Sequence, residues 1–183
     1  MSLQIPDRNV VLIGFMGSGK SSVGRELARR WRFRFVDTDA AIRRRFSKSI
    51  GEIFATYGED FFREQEHDVL RDLLGQERAV IATGGGIVLQ EQNVVLLRRL
   101  GRIVWLTASP DTIWERVRMS THRPLLQNED PRGTMDHLLQ ARSPLYAAAA
   151  ELTVDSSGLL HSEVADRVVA SLLDRRSCSR NQS

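Results

Sequence analysis

Cysteine is nearly absent. Cys178 is the one thiol among 183 residues, so no disulfide can close within the chain, and a reducing compartment, the cytoplasm, is the expected setting. No apolar run approaches the ~18 residues of a membrane-spanning helix; stretches such as 145–150 and 103–106 are far shorter, and no membrane partner is expected. The opening MSLQIPDRN has neither a basic start nor an apolar core, so no secretory signal is read there. Positive charge is barely in excess: 26 basic residues against 23 acidic leave +3, less than a large nucleic-acid surface usually carries. Nucleic acid is therefore not an expected partner. Lysine is scarce as well, since only Lys20 and Lys48 stand among those 26. What is present is a composition with 42% hydrophobic and 27% charged residues, enough for one buried core, and a length that suggests about one domain.

Short apolar runs alternate with amphipathic stretches. Residues 10–13, 33–36, 79–82, 103–107 and 152–154 read as strands, and 20–30, 90–98, 110–118, 134–142 and 163–173 carry helical periodicity. Region 40–74 breaks near Ser47 and at Tyr57-Gly58, which predicts two or three helices there. Strands separated by helices imply parallel pairing with helices on both faces, because a parallel crossover needs a connection of that length. The predicted class is α/β, without internal repeats. Residues 119–132 are polar with two prolines and fit no element, so they form a candidate mobile loop. Residues 175–183 read as a frayed basic tail.

The sharpest motif is Gly14-Phe-Met-Gly-Ser-Gly-Lys20-Ser21, which fits G-x-x-x-x-G-K-[ST] between an apolar strand and a helix. Such glycines let the backbone curl until its N–H groups point at phosphate oxygens, at a helix N-terminus whose dipole favours anions. Lys20 would reach the β- and γ-phosphates and the Ser21 hydroxyl would ligate Mg²⁺, so the motif implies a nucleoside triphosphate. A guanine-reading N-K-x-D run is missing. The third strand runs into Thr83-Gly84-Gly85-Gly86 where many P-loop proteins place an acid, so backbone stands at the mouth of the ligand crevice. Three glycines there allow close approach to a small polar ligand; a purely structural turn is the alternative. The acids come instead from Asp37-Thr38-Asp39. If the strand continues, both carboxylates face one side, one toward metal and the other toward a reacting hydroxyl, although either acid would also serve as a helix N-cap.

With these residues in hand, the chain resembles the shikimate kinase family. The resemblance runs from about residue 10 to about 169 through GFMGSGKSS with Gly24, DTD followed by Ile42, IFATYGEDFFREQE, ATGGGIV, RPLL and RSPLY, in the family's order. It implies a three-layer fold with five parallel strands in the order 2-3-1-4-5. It also implies one P-loop kinase domain, 1–174, with a substrate-binding helical region at about 38–75 and a mobile lid at about 119–132. The implied activity is Mg²⁺-dependent transfer of the ATP γ-phosphate to the 3-hydroxyl of shikimate, in chorismate and aromatic amino-acid synthesis, by a monomer. Carried over residue by residue, the resemblance assigns ATP to residues 14–22, among them Gly17, Ser18, Gly19, Lys20, Ser21 and Ser22. It puts Ser21 on Mg²⁺ with Asp37 near the metal, and Asp39 on the substrate hydroxyls as the candidate base. Arg63 and Arg142 would clamp the carboxylate, assisted by Gly84, Gly85 and Gly86, while Phe54, Phe62 and Glu66 shape the pocket. Arg123 would close over the phosphates from the lid, and Arg116 would pack against adenine.

Plainer roles exist for several of these side chains. Arg63 stands four residues after Glu59 and three before Glu66, the spacing of ordinary helical ion pairs, and Arg142 near a predicted helix end would complement the dipole. His67, His122, His137 and His161 show no ligand spacing and read as solvated positions. Trp31, Trp105 and Trp114 read as packing residues, and Tyr146 is expected beneath the substrate lobe. A gluconate or other small-polyol kinase and a non-catalytic binding homologue are the rival functions. The chain departs from the family after Asp155: members often supply an arginine and a proline to the adenine pocket there, whereas 156–159 reads Ser-Ser-Gly-Leu. Backbone or small side chains are then expected to meet adenine.

Overall fold

Along β1 (Asn9–Ile13), Val10 and Leu12 enter one buried cluster while Val11 and Ile13 enter another on the opposite face, so period-two alternation feeds two cores from one strand. The computed structural model describes residues 6–119, 124–126 and 128–180, with backbone alone at 124 and 174–180. Five strands, β1, β2 (Arg34–Asp37), β3 (Ala79–Ala82), β4 (Gly101–Thr107) and β5 (Leu152–Asp155), form one sheet in the order β2-β3-β1-β4-β5. Every pairing is parallel. The order matches the one implied by the resemblance, and the carboxyl ends of β1, β2 and β3 stand side by side.

Helices cover both faces. On one, α1 (Lys20–Trp31) and α7 (His161–Arg180) supply Val23, Leu27, Trp31, Val164 and Val168. Against the other lie α2 (Thr38–Phe46), α3 (Ile50–Asp72), α4 (Glu91–Leu100), α5 (Pro110–Val117) and α6 (Pro131–Ala149). Buried Asn9, at the start of the central strand, ties down the segments that lead into its two neighbours: its amide donates to the carbonyls of Gln76 (2.6 Å) and Leu100 (3.0 Å) and accepts from Ala79 N (2.9 Å). The predicted breaks in 40–74 are present. Helix α2 stops at Ser47, and α3 starts with a reciprocal capping box between Ser49 and Glu52. Gly58, at φ 84°, kinks α3.

Three boundaries differ from the sequence reading. Helix α6 runs past Arg142 and through Pro144 to Ala149, because Met135, Arg142, Tyr146 and Ala149 continue one buried face across the proline, and Ser143 Oγ donates to the Leu139 carbonyl at the disturbed turn. Arg142 is thus a mid-helix residue and no partner of a helix end. Helix α7 continues to Arg180, so residues 175–180 are helical where a frayed tail was expected; no proline or glycine interrupts 164–180. β2 ends at Asp37, so the two acids do not share a strand face.

Candidate active site

The loop between β1 and α1 takes its shape from its glycines. Gly14 has φ 138°, and a Cβ there would sit 2.4 Å from the Leu106 carbonyl oxygen; Gly19, at φ 93°, is the N-cap of α1. That cap contributes no side-chain hydrogen bond, and the first turn of α1 holds no acid. The leading N–H groups of the helix are consequently uncapped by side chains and, with the dipole, favour an anion. Lys20 is buried and its ammonium donates to the carbonyl oxygens of Gly14 (2.7 Å) and Phe15 (2.8 Å), which aims it back across the loop.

Ser21 leads from this loop to the acids. Its hydroxyl donates to Asp37 Oδ2 (2.7 Å), while Asp37 Oδ1 accepts from Ala40 N (3.0 Å) as the N-cap of α2. The contact with Ser21 and the helix cap thus use the two oxygens of one carboxylate. Asp39 lies in the first turn of α2, and its Oδ1 abuts Gly84, where a Cβ would come within 2.6 Å. Thr38 Oγ1 accepts from Gly84 N (3.0 Å), which pins the start of α2 to the glycine turn. No cluster of three or more His, Cys, Asp or Glu able to hold a metal exists among the described residues. One hydroxyl with one adjacent carboxylate fits Mg²⁺, a hard cation that takes much of its shell from water and substrate phosphates.

Beyond the glycine turn lies a buried cationic pocket. The Arg63 guanidinium donates to Glu66 Oε2 (2.6 Å) and to Glu59 Oε1 (2.7 Å), so the helical ion pairs suggested by spacing are both made. Arg63 is nevertheless buried and packs against Gly86, where a Cβ would lie 2.2 Å from Nη1. Glu66 is fully buried, and its Oε1 has no hydrogen-bond partner among the described residues. Burial, reinforced by the Asp39 charge, pushes the Glu66 carboxyl up to about 7 against the pull of Arg63 and Arg142. Arg142 is also buried and stands 3.5 Å from the Gly85 carbonyl oxygen, which accepts from Tyr146 OH as well. Burial likewise pushes the Tyr146 phenol up to about 12. Phe54 and Phe62 stack at 4.8 Å between centroids as an apolar wall. Gly85 joins the two halves, since a Cβ on it would meet Met16 N of the phosphate loop at 3.4 Å. A single cleft of about 1480 Å³ runs from Gly17, Lys20 and Arg116 through Asp39 to Arg63 and Arg142.

Arg116 has a task that sequence did not show. Its guanidinium donates to Gly17 O (3.0 Å), Ser156 Oγ (3.1 Å) and Ser156 O (2.9 Å), and Ser156 Oγ donates in turn to Ser18 O (3.0 Å). Ser156 is buried, so it braces the phosphate loop from the end of β5. Nothing local marks it; the only signal was the missing arginine and proline. Leu126 is buried in the core and Leu125 lines the cleft. Arg123 lies outside the described residues, as does much of the segment around it.

The family model for shikimate kinase matches residues 16–173. A shikimate kinase of Geobacter sulfurreducens is 48% identical over 158 residues, 86% of this chain and 87% of its own length. One from Thermodesulfovibrio yellowstonii is 44% identical over 162 residues, 88% of this chain and 93% of its own. Among solved structures, the shikimate kinase of Acinetobacter baumannii in complex with shikimate superposes with a TM-score of 0.89 at 34% identity, covering 94% of this chain and 96% of that one.

Proposed function

The chain belongs to the shikimate kinase family, ATP-dependent phosphotransferases of aromatic amino-acid biosynthesis, and we propose that here the γ-phosphoryl group passes to the 3-hydroxyl of shikimate between Lys20 and Asp39. The observation that carries this assignment is the continuity of the cleft, in which Asp39 stands between an uncapped helix N-terminus and a buried pair of arginines. Gly17, Ser18, Gly19, Lys20, Ser21 and Ser22 hold the phosphates, with Lys20 turning from the Gly14 and Phe15 carbonyls to the transferring group. Ser21 would hold Mg²⁺, with Asp37, already in contact with Ser21, as the neighbouring acid. Bound there, Mg²⁺ would neutralise charge on the β- and γ-phosphates.

Arg63 and Arg142 bind the carboxylate of shikimate beside Gly84, Gly85 and Gly86, with Phe54 and Phe62 against its ring. Glu59 and Glu66 hold Arg63 in place beforehand, so little side-chain freedom is lost on binding. Asp39 orients the 3-hydroxyl and takes its proton as the oxygen attacks in line. Catalysis is then positioning plus charge stabilisation, without a covalent enzyme intermediate. Arg123, from the lid at about 119–132, completes the charge stabilisation on closure. The cytoplasm supplies ATP, and the described residues include no helix long and apolar enough to cross a membrane. A monomer is supported by the sheet, whose two faces are covered by the chain's own helices.

The test is a coupled ADP-release assay with shikimate, gluconate and AMP as acceptors. Turnover with shikimate alone is expected. Preference for gluconate or AMP, or no turnover with any of the three, would overturn the assignment.

A further inference from the structure

The two arginines of the cationic pocket are held in different ways. Arg63 is fixed by Glu59 and Glu66, whereas Arg142, equally buried, has no carboxylate within ion-pair distance among the described residues. A buried guanidinium without an acid needs another constraint. Its Cζ lies 5.9 Å from the centroid of the Phe15 ring, and Nη1 stands 3.5 Å from the Gly85 carbonyl oxygen, at the outer limit of a hydrogen bond. Tyr146, four residues further along α6, takes that carbonyl instead: its hydroxyl donates to the same Gly85 oxygen. The phenol is fully buried with its ring beside Trp105, and burial pushes its pKa up to about 12 against the pull of Arg142. The donated proton therefore stays in place at neutral pH.

We propose that Tyr146 is a positioning residue for shikimate: by occupying the Gly85 carbonyl it keeps the Arg142 guanidinium turned to the substrate carboxylate. This rests on the assignment of Arg142 to that carboxylate. Guanidinium and phenol compete for one oxygen, and the long Arg142 contact beside the Tyr146 bond shows which of them holds it. Without the hydroxyl, the Gly85 oxygen would lose its donor in a half-buried turn, and Arg142 would need to close by only about 0.6 Å to replace it. An arginine bonded to its own backbone has less to offer a carboxylate. The turn cannot retreat from the arginine, because on its other side Gly85 abuts the phosphate loop at Met16 N.

The experiment compares steady-state kinetics of the wild type, Tyr146→Phe, Arg142→Ala and the double variant, with shikimate and ATP varied in turn. Phenylalanine keeps the ring against Trp105, and urea melts confirm that each variant is folded. Tyr146→Phe is expected to raise KM for shikimate about 3- to 10-fold, the size of one net hydrogen bond, with kcat and KM for ATP within about twofold of wild type. In the Arg142→Ala background the same change should add nothing, because the guanidinium through which the phenol acts is gone. A phenol with a purely structural role would lower the melting midpoint in both backgrounds and leave KM in place. The proposal is overturned if Tyr146→Phe has wild-type KM for shikimate, if it raises KM as much without Arg142 as with it, or if KM for ATP rises equally. Should Arg142→Ala itself keep wild-type KM, the carboxylate assignment falls, and this inference with it; a raised KM in Arg142→Ala beside an unchanged one in Tyr146→Phe removes this inference alone.

Discussion

Gly86→Ala isolates the contribution of one guanidinium position. Gly86 has φ −98°, so alanine costs the backbone nothing. The cost falls on Arg63, because a methyl group would sit 2.2 Å from Nη1 and 2.7 Å from both Cζ and Nη2, whereas ordinary contact begins at 3.4 Å. The guanidinium must retreat by about 1 Å. It cannot do so freely, since Glu66 and Glu59 hold it at 2.6 and 2.7 Å. Losing one charge-assisted hydrogen bond to a substrate carboxylate costs roughly 1.5–3 kcal/mol, so KM for shikimate is expected to rise about 10- to 150-fold. KM for ATP should stay near wild type, because the loop and Lys20 are untouched. Steady-state kinetics with each substrate varied in turn provide the readout, with a denaturant melt to confirm that the variant is folded. A folded Gly86→Ala enzyme with wild-type KM for shikimate would refute the placement of the carboxylate at Arg63.

Lys20→Ala should abolish nearly all phosphotransfer while circular dichroism stays native, because its ammonium serves the phosphate loop, at the Gly14 and Phe15 carbonyls; substantial turnover would remove it from the mechanism. Asp39→Asn keeps shape and removes charge, so kcat should fall by ~10²–10⁴ if Asp39 takes the proton; a barely altered kcat would leave it only a favourable charge in the first turn of α2. Glu66 predicts a pH dependence of stability. Its folded pKa of about 7 lies above the unfolded value of 4.5, so the proton it retains stabilises the native state fully below about pH 4.5, and that contribution is lost as pH rises through about 7. Across this window the loss is on the order of 3 kcal/mol, at about 1.4 kcal/mol per pH unit. Glu66→Gln lacks it, so urea melts should show the variant gaining on wild type between pH 5 and pH 8, and parallel profiles would contradict a buried, proton-holding Glu66.

The parts of this protein that were legible in sequence are those built by neighbours along the chain. The phosphate loop is one contiguous turn whose glycines, lysine and serine act through local backbone geometry, and it folds where the motif predicted. Five strands and the breaks at Ser47 and Gly58 were legible for the same reason, since alternation and turn residues are short-range signals. The ion pairs of Arg63 were visible as helical spacing, but spacing could not show that the same guanidinium is buried against Gly86. Only the folded chain brings Ser21 to Asp37, Asp39 to Gly84, and Ser156 to the phosphate loop from 138 residues away. It also carries α6 through Pro144, where burial of Tyr146 and Ala149 outweighs the lost backbone bond, and it brings His161 to the wall of the cleft beside Gly19. Turns and periodicity depend on residues a few positions apart, whereas burial, charge pairing and the raised pKa of Glu66 depend on which distant segments the sheet order makes neighbours, and that is a property of the tertiary structure alone.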